Sequence, residues 1–397
     1  MSVAPVARAS DSFTLILMRS HRARDNSLSV FGVALLLGAC NSEAAPPASY
    51  SAGSGGEAGA AAGTGGSAGS AGAAGGSANA KPRCDLPKGW PTLESVLSLA
   101  EPLPDTGDVG HMVMTSRGLH WLADKALYRL GTDAKPVLVA MTDDGLFAQL
   151  DASSSAVVWL WGSSIWALSL DANATPRELW TEVSVAGDPI LVDETNVYFD
   201  QAFGSNYGFW QIPLAGGTPK KVPIVAQDVF AVHDGYGYYK QSDSITGDLL
   251  MRAPLAGGTA EQVAKGFGFL WSPRVLFDAN VMYVATDTIG RVEVGKPDSK
   301  SIVFHLAPSP DQGVDNSLTS MVLDGDRLVY ADQYGTVGWV TTDGAQCANI
   351  LVDPSQGKDV PGWPIEVALD DKYLYMLVFD TSSHGSLHRI ARSKVGL

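Results

Sequence analysis

From residue 109 onward, short apolar, aromatic-bearing runs recur between polar turns, as in His120-Trp121-Leu122-Ala123, Val197-Tyr198-Phe199-Asp200 and Met282-Tyr283-Val284-Ala285, whose side chains are expected to point alternately outward and inward. Alternation with a period of two places one set of side chains on each face of a strand, so these runs are expected to pack one sheet against the next. The stretch 190–222 supplies the whole unit. An apolar strand ends near Asp193, a short turn leads to the aromatic strand Val197-Tyr198-Phe199, a loop leads to Phe209–Ile212, and a Gly-Gly turn leads to an outer strand. The next stretch, Phe230–Val263, repeats that order so closely that Pro213-Leu214-Ala215-Gly216-Gly217-Thr218 returns as Pro254-Leu255-Ala256-Gly257-Gly258-Thr259.

Alignment on the second strand finds seven copies, at Trp121, Trp159, Tyr198, Tyr238, Tyr283, Val329 and Tyr375, spaced 38 to 46 residues apart. A four-stranded unit repeated seven times predicts an all-β fold, a single seven-bladed β-propeller, with six blades as the alternative. Third strands are expected at 126–130, 165–170, 210–214, 250–255, 291–294, 337–340 and 387–392. Five residues before the aligned position stand Asp193, His233, Asp278, Asp324 and Asp370, with Ser116 in the first copy. These are read as turn-formers that accept backbone N–H groups. The second copy departs from this, because Asp151 lies eight residues before Trp159 and the turn falls at Ser153-Ser154-Ser155. The seventh copy lacks a fourth strand before the chain reaches Leu397, so Leu93–Leu103 is expected to supply it and close the ring.

The N-terminal quarter is of another kind. Leu28–Cys40, LSVFGVALLLGAC, follows Arg19, Arg22 and Arg24; the run is short for a permanent membrane helix and suits a signal-peptide core, with Met18 as an alternative start. Residues 40–83 form a tether dominated between 41 and 80 by Gly, Ala and Ser, a composition that cannot offset chain entropy by burial. About forty such residues reach roughly 35 Å. Gly65-Gly66-Ser67-Ala68-Gly69 matches a nucleophile-elbow pattern, but its low-complexity context lacks the strand and helix that the elbow needs. The propeller domain is therefore placed at 84–397, behind a leader at 1–39.

The charge balance narrows the partners. The chain carries 27 basic and 42 acidic residues; without the four Arg and two Asp of residues 1–39, 23 face 40, a net charge of −17. Such a surface repels phosphate backbones, which argues against nucleic acid.

Two resemblances add to this reading. Leu37-Gly38-Ala39-Cys40 resembles a bacterial lipobox, which implies cleavage before Cys40, its acylation, and a lipid-anchored protein of the cell envelope facing the periplasm or the exterior. VYFD…WQIPLAGGTPKKV resembles the repeats of secreted bacterial propellers of the YWTD, NHL and TolB-like kind, over residues 90–397. That resemblance implies the fold; propellers of this kind include binding proteins, scaffolds, lactonases and lyases, so the chemistry is not inherited with it.

Candidate sites follow from position. With Cys40 acylated, Cys84 and Cys347 remain to form a disulfide near the closure, worth up to about 5 kcal/mol. The histidines show no metal-ligand spacing, and no metal, cofactor or catalytic constellation is expected. Residues entering the innermost strands would ring the channel mouth: His111, Leu146, Asp188, Asp228, Pro273, Thr319 and Ile365, with Trp271, Arg274 and Trp363 nearby. The expected function is a monomeric binding or scaffold module for an envelope protein or glycan. The alternative is a propeller hydrolase or lyase using His111 with Asp188 or Asp228.

Overall fold

A blade's four strands are too thin a layer to bury both faces, so the apolar alternation of each must be met by a neighbour. The computed structural model describes residues 101–397 apart from 103–108, 132, 142–148, 172, 182–188, 202–207, 225–228, 244–246, 267–272, 307–316, 334, 352–362 and 380–383. Residues 1–100, where the leader, the tether, Cys40 and Cys84 were expected to act, lie outside the described residues. Seven antiparallel four-stranded sheets succeed one another, and each innermost strand contacts the innermost strands of the blades before and after it, all the way round. The fold is a seven-bladed β-propeller.

Counted from the channel outward, blade 1 comprises Val109–Thr115, Gly118–Ala123, Ala126–Leu130 and Pro136–Met141. Blades 2 to 6 begin with the innermost strands Gln149–Ala152, Leu191–Val192, Val229–His233, Arg274–Asp278 and Leu318–Asp324. Blade 7 takes its inner three strands, Trp363–Leu369, Tyr373–Phe379 and Gly385–Ala391, from the end of the chain. Its outer strand comes from the beginning: Glu101 pairs with Arg389 and Pro102 with His388. The expected closing strand is thus present at Glu101–Pro102, while residues 93–100 fall outside the described part.

The seven aligned positions are structurally equivalent. Trp121, Trp159, Tyr198, Tyr238, Tyr283, Val329 and Tyr375 pair inward with Met112, Leu150, Leu191, Ala231, Leu276, Val322 and Ala368. All seven are buried. Around them, the core divides into seven clusters, one at each seam between adjacent blades. At the closing seam, Val109, Leu119 and Trp121 of blade 1 meet Tyr375, Leu377 and Leu387 of blade 7.

Local chemistry explains the repeated turns. Gly216 and Gly217 have φ of 82° and 137°, and Gly257 and Gly258 have φ of 91° and 145°, a region closed to most side chains. The expected carboxylate turns form at two copies. Asp193 Oδ1 accepts the amides of Thr195 and Asn196, both at 2.7 Å, and its Oδ2 accepts the Tyr198 hydroxyl at 2.7 Å. Burial opposes ionisation, but the Tyr198 hydroxyl and the turn amides hold this carboxyl below the usual carboxylate range. Asp370 repeats the arrangement with Lys372, Tyr373 and the Tyr375 hydroxyl. In the first two copies hydroxyls substitute: Thr115, rather than Ser116, accepts the Arg117 amide, and Ser153 accepts those of Ser155 and Ala156. Asp324 instead pairs with Arg392 of the C-terminal helical turn Arg392–Val395. His233 stacks on Phe277 of blade 5, with ring centroids 4.0 Å apart.

The closing seam yields a test. A Cβ added at Gly385, on the third strand of blade 7, would run into the backbone carbonyl of Val109 in blade 1. Gly385→Ala should therefore force the two ends of the ring apart at a cost of about 2–3 kcal/mol, seen as a melting temperature lowered by several degrees in thermal unfolding followed by circular dichroism. An unchanged melting temperature would show that the seam tolerates the methyl group.

Candidate functional site

An innermost strand has a hydrogen-bonded neighbour on one edge only, so its other edge presents N–H and C=O groups that must find partners or water. Here side chains of one blade reach the backbone of the next. Gln149 Oε1 accepts the Ile190 amide at 2.8 Å, and Asp151 Oδ2 accepts the Val192 amide at 3.0 Å, both from blade 2 to blade 3. Arg274 Nε donates to the Thr319 carbonyl at 2.9 Å, from blade 5 to blade 6. Ser320 Oγ accepts the Val367 amide at 3.1 Å, from blade 6 to blade 7. Glu366 Oε2 accepts the Met112 amide at 2.8 Å, from blade 7 to blade 1. Each of these bonds runs from a blade to its successor in the ring.

Of the residues expected at the rim, His111, Arg274 and Thr319 are described and lie on innermost strands. Trp363 begins the innermost strand of blade 7, where it pairs with Phe379. Asp188, Asp228 and Trp271 lie outside the described residues, as does Leu146. His111 Nδ1 lies 2.8 Å from Glu366 Oε1, so one carboxylate orients the imidazole and caps the adjacent strand. The sequence reading did not single out Glu366, nor assign Asp151 or Gln149 to the channel wall. A signal was available: Glu366 is the one charge in WPIEVAL, and Asp151 the one charge in QLDA. A charged residue inside an otherwise apolar innermost strand has nowhere to point except the channel or a neighbouring blade's backbone.

Electrostatics separate these groups. Asp151 Oδ1 accepts the Ala152 amide at 2.8 Å while Oδ2 takes Val192. Burial in the channel wall nevertheless pushes its carboxyl up to about 7, against the pull of those amides and of the positive charge of Arg274. His120, buried in blade 1, moves oppositely: burial pushes its imidazole down to about 4, with Nδ1 3.1 Å from the Gly118 carbonyl.

Cys347, opening the outer strand of blade 6, is disulfide-bonded, and its partner is not among the described residues. Among those residues no three His, Cys, Asp or Glu side chains converge as metal ligands.

The opposed shifts give a pH signature. Between about pH 4 and 7 the folded chain holds a proton on Asp151 that the unfolded chain releases, so this contribution is full at low pH and is lost as pH rises through 7. For His120 the unfolded chain takes the proton first, so stability falls as pH drops from 6.5 toward 4. The two partly cancel in the native protein, and a variant is needed to isolate either. Asp151→Asn should gain stability relative to wild type between pH 5 and pH 8 by about 2–3 kcal/mol, measured by denaturant unfolding at both pH values. A difference independent of pH would show that Asp151 titrates normally.

No protein-family model matches this chain, and no curated protein does. Solved structures do. The extracellular domain of a protein described as a hybrid two-component system from B. thetaiotaomicron shares 12% identity at a TM-score of 0.49, over 73% of this chain and 39% of that one. Puromycin hydrolase shares 11% at 0.49, over 74% and 53%, and BamB from Moraxella catarrhalis shares 13% at 0.42, over 73% and 93%. This chain thus spans about two fifths of the first of these and about half of the second.

Proposed function

We propose that this chain is a binding module: an exported, lipid-anchored propeller that holds a protein or carbohydrate partner of the bacterial envelope at the mouth of its channel and performs no chemistry of its own. The observation that carries this reading is the use made of the channel-wall carboxylates. Asp151 and Glu366 each accept backbone amides of the succeeding blade, so their oxygens hold the ring together. The acidic composition suits a domain displayed away from a membrane on the tether of residues 40–83, attached through lipid on Cys40. In this reading Cys84 is the partner of Cys347, and the ligand is taken by the proposed channel-mouth set His111, Asp188, Asp228, Trp271, Arg274, Thr319 and Trp363.

A second reading, a hydrolase or lyase, is favoured by one contact. The 2.8 Å pair of His111 with Glu366 is the arrangement by which a carboxylate orients an imidazole for proton transfer.

Two measurements test the reading. Residues 81–397 immobilised on resin should capture one envelope protein or glycan selectively from a membrane extract; retention of nothing above a control propeller overturns it, and loss of turnover of a lactone or glycan panel in His111→Ala would establish the enzyme instead. Cys40→Ser should shift the full-length protein from the detergent phase to the aqueous phase, and continued partition into detergent would refute the anchor.

A further inference from the structure

In blade 2 the third strand, Ser164–Ser169, and the outer strand, Arg177–Trp180, are joined by a turn that carries Asn173-Ala174-Thr175, with Asp171 two residues ahead. Nine asparagines occur in the chain, and Asn173 alone has Ser or Thr two residues later. Asn-x-Thr is the acceptor signal for asparagine-linked glycosylation, and its worth depends on where the fold puts it. Here Asn173 and Thr175 are both exposed and outside any strand. Asn173 adopts φ of 67°, the left-handed region that asparagine enters more readily than most residues other than glycine. The corresponding turns of blades 3 and 4 meet positive φ with Gly216-Gly217 and Gly257-Gly258, which carry no side chain to modify.

The groups that a transferase would need are free. Among the described residues, neither the Asn173 amide nor the Thr175 hydroxyl has a hydrogen-bond partner. The backbone is lightly held as well: the Ala174 amide donates to the Asp171 carbonyl at 3.4 Å, longer than an ordinary bond of this kind. Asp171 is exposed, and its carboxylate accepts the Ser169 hydroxyl at 2.8 Å, so the turn also offers a negative charge to an electropositive acceptor groove. An amide nitrogen is a weak nucleophile, because its lone pair is shared with the carbonyl, so a transferase must take the asparagine and the threonine together into its own site. This turn can enter such a site with every strand pairing of blade 2 intact.

We infer that Asn173 is a glycosylation acceptor, modified on the folded protein by an oligosaccharyltransferase. The side-chain nitrogen of Asn173 forms a bond to the anomeric carbon of an oligosaccharide carried on a lipid pyrophosphate. The bond from that carbon to the pyrophosphate oxygen breaks with its electron pair, and the amide releases one proton. The inference rests on the export that the proposed function includes, because the transfer takes place beyond the cytoplasmic membrane.

The full-length protein, purified folded in detergent, is incubated with a bacterial asparagine-linked oligosaccharyltransferase and a lipid-pyrophosphate-linked oligosaccharide, and masses are read on the intact chain and its peptides. Wild type should gain the mass of one oligosaccharide on the peptide containing Asn173. Asn173→Gln should gain none, and Thr175→Ser should be modified. No gain in wild type, or the same gain in Asn173→Gln, would overturn the inference. Should Asn173→Gln fail to fold, Thr175→Val decides in the same way, since it leaves the asparagine of the turn in place. In cells that express the same transferase and oligosaccharide, the native chain should be modified too. Modification seen only after a proven export leader replaces residues 1–39 would sink the export reading and leave this inference standing; a protein exported by that leader and left unmodified would overturn this inference and leave the export reading untouched.

Discussion

The structure depends on apolar contact between blades, because no blade owns a core. Each of the seven clusters draws residues from two adjacent sheets, as Leu122 and Leu127 of blade 1 do with Val157 and Trp159 of blade 2. Removing any blade would therefore expose two faces at once, and burial pays off in full only when the ring is complete. This is why the chain sets its first strand beside its last blade. The two-residue pairing at Glu101 and Pro102 is small, but it covers the edge of Gly385–Ala391, whose Leu387 and its cross-strand partner Leu377 belong to the same cluster as Trp121.

The channel solves a second problem created by the first. Seven innermost strands turned edge-inward leave backbone groups facing a narrow space, and the chain meets them with Gln149, Asp151, Arg274, Ser320 and Glu366. Polar residues in such a place serve architecture before they serve a ligand. Arg274 shows the first role, since its Nε joins blade 5 to blade 6.

The architecture was legible because it is written seven times. The aligned residues from Trp121 to Tyr375 occupy equivalent positions in the sheets, and the Gly-Gly turns recur because both glycines adopt positive φ. The turn carboxylates were legible at Asp193 and Asp370, where spacing to the tyrosine hydroxyl is fixed by one hairpin. The channel wall was less so. The partnership of His111 with Glu366 joins residues 255 positions apart on the two sides of the closing seam, and no local pattern encodes which blade a side chain will touch. Thr115 taking the turn in place of Ser116 is a one-residue matter of hairpin register, which periodicity does not resolve.

The bonds by which side chains of the innermost strands reach a neighbouring blade's backbone share one direction, each from a blade to the one that follows. A blade thus has a giving side and a receiving side, like a subunit in a head-to-tail assembly, and the ring is a cyclic oligomer whose protomers happen to be joined by peptide. Such a joint does not specify how many protomers the circle holds; curvature does. A chain built this way can lengthen by copying one unit between two others, since the new copy offers the preceding blade the surface it already accepts and the following blade the surface it already expects. The identity of PLAGGT at residues 213–218 and 254–259 is what a copying event of that kind would leave behind.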